Sequence, residues 1–587
     1  MSLFLQVLGR PASLLRRCVA VIGIALGLGA CAELPKNVDR PVSNALTTSA
    51  VSGTPLASIV KQRRDAAAGR HDSGFLLLDG PPAAYGSRLA LVEGATRTLD
   101  LQYYAIHADA STALLLRAVR DAAARGVRVR ILLDDFHSTG HDALVMAMAF
   151  VPNVEMRMFN PLAGSRDSTM SRLLSSIDDA GRIQQRMHNK LFIADNVLAV
   201  TGGRNLGDAY FGRDDKGNFV DLDVLVAGPL VQDLSRSFDS YWNNERAYPV
   251  QSLVSRKELE EIRAKARDAV EAAQKKQEEA QSPSSAPPDA APMTAEQRAR
   301  TWDEKAMDLR TIDFTWAPAV VLADKPAKIA ADGNGASPQA GKAPGLTVSR
   351  QGAGAAGTGD GNRSLHAAAG AAAEGEDVVE GLLQLIGMAQ RDLLIISPYF
   401  VPGDDMKQAF AAARARGVKV RVLTNSLASN DAPVAHVGYA RHREALLAMG
   451  VELYELRSEQ AGMGSAFGGS GRSISGESRS MLHSKALVMD GRLLVVGSMN
   501  LDLRSQLQNT EIALLIRSDT LSRIAGEKIE EAMREGAWRV EQQGNGSLVW
   551  RAPQGSKLSD SSTEPDTSAG LRLLLKVFGP LAPDRLL

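Results

Sequence analysis

Two stretches of the chain carry the same reactive set. Met187 to Asp195 reads MHNKLFIAD and Leu482 to Asp490 reads LHSKALVMD, so each holds His, one spacer, Lys, four spacers and Asp. His188 matches His483, Lys190 matches Lys485 and Asp195 matches Asp490, each at an offset of 295 positions. Seven residues past each Asp the offset holds again, with Gly202-Gly203-Arg204-Asn205 against Gly497-Ser498-Met499-Asn500. An imidazole can attack an electrophile or carry a proton, while ammonium and amide groups can hold anionic oxygens. LFIAD and ALVMD are short apolar runs of strand character, and on a strand residues two apart share a face. His188 and Lys190 therefore project together, as do His483 and Lys485. Each copy is half a site, and pairing the copies about a pseudo-twofold axis sets two imidazoles opposite each other, flanked by two Lys and by Asn205 and Asn500.

The elements that must position these groups repeat as well. TLDLQYYAI (Thr98 to Ile106) reads as a buried strand, STALLLRAVRDAAARG as a helix stopped at Gly126, and VRVRILLDD as the next strand. Strand, helix and strand within roughly 35 residues predict a right-handed crossover and a parallel sheet, so the fold class is α/β. DLLIISPYFV, MKQAFAAARARG ending at Gly417, and VKVRVLTNS repeat the unit. Tyr104 and Tyr399 keep the 295 offset whereas Gly126 and Gly417 differ by 291, which places four lost or gained residues in the loop and helix between them.

These units divide the chain into a first half over 71–250 and a second over 376–545. Between them, 251–375 is predicted to be a linker: a charged amphipathic helix with Leu259, Ile262, Ala266 and Val270 on one stripe, then low-complexity sequence, with Trp302 and Trp316 marking a short ordered patch. The Gly/Ala-rich run 331–375 reads as disordered. Residues 463–480, ahead of the second motif, are a lid or an idle insertion, and 546–587 is a tail. Residues 32–70 read as a polar tether too poor in apolar side chains to build a core.

Lys plus Arg and Asp plus Glu balance at 67 each, so no global positive field exists to hold a polyanion, and nucleic acid is not expected as a partner. Arg10, Arg16 and Arg17 precede an apolar run from Val19 to Leu28 that fits an export signal and is too short to span a bilayer. The run closes on Leu28-Gly29-Ala30-Cys31, similar to the site at which bacterial lipoproteins are cleaved and acylated. Cys31 is thus the predicted lipidation site, which leaves no disulfide in the mature chain. The expected location is the bacterial cell envelope, outside the cytoplasm, with inner and outer membrane both open.

The doubled motif resembles the phospholipase D superfamily. RMHNKLFIADN, VTGGRNLGDAYF, ISPYFVPGDD, HVGYARHREALLAMGVELYELR and VGSMNLDLRS narrow the resemblance to bacterial cardiolipin synthases of the C type, over most of Leu99 to Asn509. It implies two α/β/α sandwich halves sharing one active site, phospholipid substrates such as phosphatidylglycerol, a helper protein as a possible partner, and no cofactor or metal. Phosphodiester chemistry needs one imidazole to attack phosphorus and the other to protonate the departing alcohol and deprotonate the incoming one, with Lys190, Lys485, Asn205 and Asn500 holding the nonbridging oxygens. The symmetry of the halves allows either order, and the resemblance to related enzymes implies His188 as nucleophile and His483 as acid/base. The family pattern requires Asp195 and Asp490, for orientation, although each also reads as a turn residue. The two histidines must start in opposite protonation states, and a carboxylate on one ring would favour its charged form. Glu511, eleven residues past Asn500, is the second-half candidate, and Asp223 its first-half counterpart. His436, in AHVGYARHR, is expected to help hold a headgroup. His71, His107, His137, His141, His366 and His442 read as surface or ordinary core residues.

The resulting expectation is a phosphatidyl transfer to phosphatidylglycerol through a phosphohistidine. A phospholipid hydrolase is the nearest alternative, since water competes for the same intermediate. A nuclease would need a basic stripe with interleaved aromatics, and the basic clusters ARGVRVR and ARGVKVR fall at predicted buried junctions. A non-catalytic lipid-binding scaffold has no need of two reactive histidines.

Overall fold

The computed structural model describes residues 34–67, 71, 73–164, 166, 183–214, 217–265, 268, 305–329, 345–349, 360–458, 479–578 and 583–584. Cys31, the signal segment, Ala266, Val270, Trp302 and most of 463–480 lie outside them.

The first half contributes β1 (Gly74–Leu78), β2 (Thr98–Tyr103), β3 (Arg128–Asp134), β4 (Val154–Phe159), β5 (Leu191–Ala194), β6 (Leu198–Gly202), β7 (Gly217–Val220), β8 (Asp223–Ala227) and β9 (Ala247–Pro249). With β10 (Thr315–Trp316) all but β7 form one sheet, ordered β10-β1-β8-β6-β5-β2-β3-β4-β9. Next in the chain come β11 (Ala319–Asp324), β12 (Leu346–Val348), β13 (Asp392–Ile396), β14 (Phe400–Val401), β15 (Lys419–Asn425), β16 (Glu452–Leu456) and β17 (Arg479–Leu482). They are followed by β18 (Ala486–Met489), β19 (Leu493–Gly497), β20 (Leu501–Asp502), β21 (Ile512–Arg517), β22 (Ala537–Gln542) and β23 (Leu548–Arg551). The second sheet runs β12-β11-β21-β19-β18-β13-β15-β16-β22-β23. Strands β2-β3-β4 and β13-β15-β16 are parallel, as the crossover pattern predicts. Both crossover helices, Ala110–Ala124 and Asp404–Ala415, stop before a glycine in the left-handed region, Gly126 at φ 95° and Gly417 at φ 84°.

The motif strands are apolar throughout because both faces are covered. In β5, Leu191 and Ile193 face the core between the halves while Phe192 and Ala194 face the outer layer, and β18 alternates in the same way. The helices Leu230–Trp242 and Asp519–Glu535 carry the shared inner core, where Phe238, Trp242, Ile529 and Met533 meet side chains of both sheets. The halves thus pack through one continuous apolar layer.

The segments flanking the halves are more ordered than their composition predicts. Main-chain groups of Pro41, Ser43, Ala45 and Leu46 bond to Arg157, Arg130, Asp239 and Asn196, and the helix Pro55–Ala66 buries Leu56 and Val60. Three buried apolar side chains, with Val51, suffice to dock a segment that is otherwise polar. The linker supplies β10 to the first sheet and β11 to the second with two residues between them. In the Gly/Ala-rich run, Asp360–Ala372 is a helix that buries Leu365, Ala368 and Ala372, since alanine favours helix and packs closely. The boundary at 545 falls inside the β22–β23 hairpin. The offset between the halves also shifts: Asp195 N–H bonds to Thr98 O and Asp490 N–H to Asp392 O, so β2 and β13 correspond at 294 and Tyr104 aligns with Pro398, not Tyr399. Among the described residues no helix is long and apolar enough to cross a membrane.

Candidate active site

Neither reactive histidine lies within its strand. β5 starts at Leu191 and β18 at Ala486, and each His sits on the extended segment just before, where it pairs with the other half. Met187 forms a parallel bridge to Thr510, and β17 pairs in parallel with β7 so that Leu482 faces Val220. His188 N–H then donates to Thr510 O at 2.9 Å, and His483 N–H to Val220 O at 2.8 Å. The next residues along the partner segments are Glu511 and Asp221. His188 Nδ1 lies 2.9 and 3.0 Å from the two oxygens of Glu511, and His483 Nδ1 lies 2.6 Å from Asp221 Oδ2.

Each imidazole is therefore held by a carboxylate from the opposite half. Glu511 crosses to His188 although its sequence position puts it with the second half. Asp223 contacts neither ring. Its carboxylate accepts the Arg88 guanidinium at 2.9 Å and the Arg204 N–H at 3.2 Å. Sheet register explains the difference: Asp223 lies opposite Gly202 as Ala513 lies opposite Gly497, so the counterpart of Glu511 is Asp221. The apolar frame carries that signal, since D-L-D-V-L-V aligned on E-I-A-L-L-I puts Asp221 on Glu511. Gly203 and Ser498 occupy matching places beside these carboxylates. A Cβ on Gly203 would lie 2.3 Å from Asp221 Oδ1, whereas the Ser498 hydroxyl donates to Glu511.

All six groups are buried, with His188 and His483 at 7% and 6% exposure. Burial pushes the His188 imidazole down to about 4, Glu511 opposing it and Lys190 adding to it. Burial and Lys485 bring His483 to about 3, against Asp221. Burial alone would raise the carboxyls, yet their histidines and the lysines hold both Glu511 and Asp221 down to about 2. Lys190 and Lys485 are lowered by burial to about 7 and 8. The site thus holds two neutral imidazoles on two ionised carboxylates. A carboxylate on one ring only, as sequence reasoning expects, is not the device that separates the histidines. The tautomer is fixed instead: Nδ1–H faces the carboxylate and Nε2 is left for substrate. Lys190 and Lys485 each donate to the carbonyl of their own histidine, so ammonium and imidazole of one motif stay together.

Asn205 is engaged within the protein, accepting Ala105 N–H and donating to the Tyr210 hydroxyl at 2.9 Å, while the buried Asn500 Oδ1 has no partner among the described residues. Asp195 and Asp490 do not reach the histidines. They occupy type I′ turns with Asn196 and Gly491, all four residues at positive φ. Asp195 accepts the N–H groups of Thr96, Arg97 and Thr98, and Asp490 those of Gln390, Arg391 and Asp392. Each aspartate caps the start of the strand beside the motif strand. Asp195→Ala strands three donors, of which the Thr98 N–H is buried, and is expected to cost about 2 kcal/mol, with Asp490→Ala, at the surface, costing about 1 kcal/mol. Urea midpoints check the ranking, which equal losses would overturn; a loss of turnover per folded molecule without a loss of stability would return these residues to the chemistry.

Histidines outside the motifs also line the site. The Tyr104 ring lies 5.1 Å from His188 and 4.9 Å from His137, and His107, bonded to Asp142 at 2.8 Å, lies 6.2 Å from His137. Tyr210 and Phe219 lie 5.3 and 5.0 Å from His483. With no copy in the other half, His107 and His137 gave the sequence no repeat to betray them. His436 is buried, its Nε2 3.1 Å from Arg443 and 3.3 Å from Glu564, which packs it as a core residue. Among the described residues no group of three or more His, Cys, Asp or Glu could hold a metal ion.

The family described as "Cardiolipin synthase, PLD-like domain" matches residues 89–242 and 382–533, one copy on each half. Cardiolipin synthase C of Escherichia coli is 33% identical over 518 residues, 88% of this chain and 96% of the relative. An uncharacterized protein of Helicobacter pylori is 29% identical over 93% of the chain and 95% of its own length. Among solved structures, phosphatidylserine synthase from Haemophilus influenzae superposes with a TM-score of 0.52 at 13% identity, covering 90% of this chain and 98% of that one, a likeness of fold.

Proposed function

The chain belongs to the cardiolipin synthase, PLD-like domain family, and from that premise we propose that it transfers a phosphatidyl group to phosphatidylglycerol, yielding cardiolipin and a free alcohol. The observation that carries the reading is the crossed pair of carboxylate–imidazole contacts, which leaves two Nε2 atoms for a single phosphodiester. In the first stage His188 Nε2 forms a bond to phosphorus, the bond to the headgroup oxygen breaks, and that oxygen takes its proton from His483. In the second stage a hydroxyl attacks phosphorus while His483 takes its proton, and the P–N bond electrons return to His188. His483 enters the first stage charged. A bound anionic phosphate raises the proton affinity of both rings, and the 2.6 Å contact to Asp221 holds the imidazolium at His483 against the burial and the Lys485 ammonium that otherwise keep that ring at about 3. Lys190 and Lys485 stabilise the nonbridging oxygens.

One observation favours lipid over nucleic acid. Arg130 of the first basic cluster is fully buried on Asp100 and Asp239, and Arg421 of the second is bound to Asp392 and Glu530, so neither offers a phosphate-binding stripe. The anchor proposed at Cys31 would also hold the enzyme close to lipid. Because the chain is docked from Pro41 onward, only about ten residues separate Cys31 from the domain, a reach of at most ~35 Å. Purified enzyme given phosphatidylglycerol vesicles is expected to produce cardiolipin and glycerol, and metabolic palmitate labelling is expected to be lost in Cys31→Ser. Phosphatidic acid as the sole product would make the enzyme a hydrolase, and undiminished labelling would remove the anchor.

A further inference from the structure

The site has two rims, and they differ. β3 ends at Asp134, whose carboxylate accepts the Met187 N–H at 2.9 Å, next to His188. β15 ends at Asn425, whose amide binds both main-chain groups of Leu482 at 2.8 and 2.9 Å, next to His483. The loop after β3 carries His137. The loop after β15 carries Asp431, exposed, which accepts the Tyr399 hydroxyl at 2.8 and 2.9 Å from its two oxygens. Asp431 stands six residues past its strand end, and at that count on the first rim stands Gly140, with no side chain to offer. Tyr399 is tied to the site as well: the Ser397 hydroxyl accepts the N–H of Leu501, the residue after Asn500, and donates to the Tyr399 carbonyl. The charge of Asp431 is felt by Lys485 and by Tyr210, the ring against His483.

With His188 as nucleophile, an in-line displacement puts the departing and incoming alcohols on the face of phosphorus toward His483. The rest of the alcohol then lies along the second rim. We propose that Asp431, held by Tyr399, is a headgroup subsite that accepts a hydrogen bond from a hydroxyl neighbouring the attacking one, and so selects polyol acceptors over monohydric alcohols and water. The inference rests on the transferase reading above. At this subsite the attacking oxygen forms its bond to phosphorus, the P–N bond to His188 breaks with its electrons returning to the ring, and the proton goes to His483. Asp431 takes no proton. A carboxylate acceptor makes a stronger bond to hydroxyl than a neutral group does, and a site built around such a bond discriminates against an analogue that lacks it.

The test offers the full-length enzyme phosphatidylglycerol vesicles with equal concentrations of deuterated glycerol and 1-propanol. Mass spectrometry separates labelled phosphatidylglycerol, phosphatidylpropanol and phosphatidic acid. The wild type is expected to favour glycerol by roughly tenfold or more. Asp431→Ala is expected to bring that ratio close to one, and Tyr399→Phe, which frees the carboxylate, to lower it by less. A merely structural role would reduce both transfers by the same factor, and an unchanged ratio in Asp431→Ala overturns the subsite while leaving the transferase standing. A wild-type ratio near one also overturns it. Phosphatidic acid as the only wild-type product removes the transferase reading, and the subsite with it.

Discussion

His188→Ala is expected to lower turnover by ~10⁴-fold or more, because the step it removes has no substitute: water in the pocket is a far weaker nucleophile than an oriented imidazole. His483→Ala should look equally dead with phosphatidylglycerol but not with a phosphodiester whose leaving group departs without a proton, such as a bis(nitrophenyl) phosphate. On that substrate His483→Ala is expected to release about one nitrophenolate per enzyme and stop as a phosphohistidine, since the second stage lacks its base. Peptide mapping of the trapped label places the phosphoryl group. Label on His483 in the His188→Ala enzyme would reverse the two roles, and with them the face on which the alcohol binds.

The crossed carboxylates give the second large effect. Glu511 is ionised at neutral pH, held down to about 2 by its histidine in spite of burial. In Glu511→Gln the ring loses the negative acceptor that fixes Nδ1–H, and a drop of ~10² to 10⁴-fold is expected. Because Glu511 serves His188 and not the histidine of its own half, the loss should fall on the nitrophenolate burst. Asp221→Asn should spare the burst and slow the transfer that follows, because Asp221 serves His483. The opposite assignment of the two defects would mean that the pairs are uncrossed in solution. The acid limb has a definite direction too. Removing the negative charge disfavours the imidazolium, so His188, already lowered by burial to about 4, moves lower still, and the limb of the burst rate in Glu511→Gln shifts to more acid pH.

How far the site can be read from sequence differs residue by residue. The four motif His and Lys, the parallel crossovers and the helix stops at Gly126 and Gly417 all follow from local pattern, because periodicity and left-handed glycine are written in neighbouring residues. The partner of each histidine is not local. It is delivered by the Leu482–Val220 and Met187–Thr510 pairings, which join segments more than 250 residues apart and leave no trace in either. Asp223 is the natural guess because it sits in a tandem with Asp221, and only the register of β8 against β6 separates a ring partner from a residue that binds Arg88. Tyr104 and Tyr399 mislead in the same way, since a one-residue slip of β2 against β13 preserves their spacing but not their places. For Asp195 and Asp490 both readings start from the same position, and the I′ turn decides for capping.

The exchange of carboxylates between halves bears on the life of the chain before it is fully folded. His188 is synthesised more than 300 residues ahead of Glu511, and neither histidine has its acid until β17 docks on β7 and Thr510 on Met187. A nascent or unfolded chain is therefore a silent one. The chemistry switches on with the last long-range contacts of folding, so completion of the fold is itself the activation step.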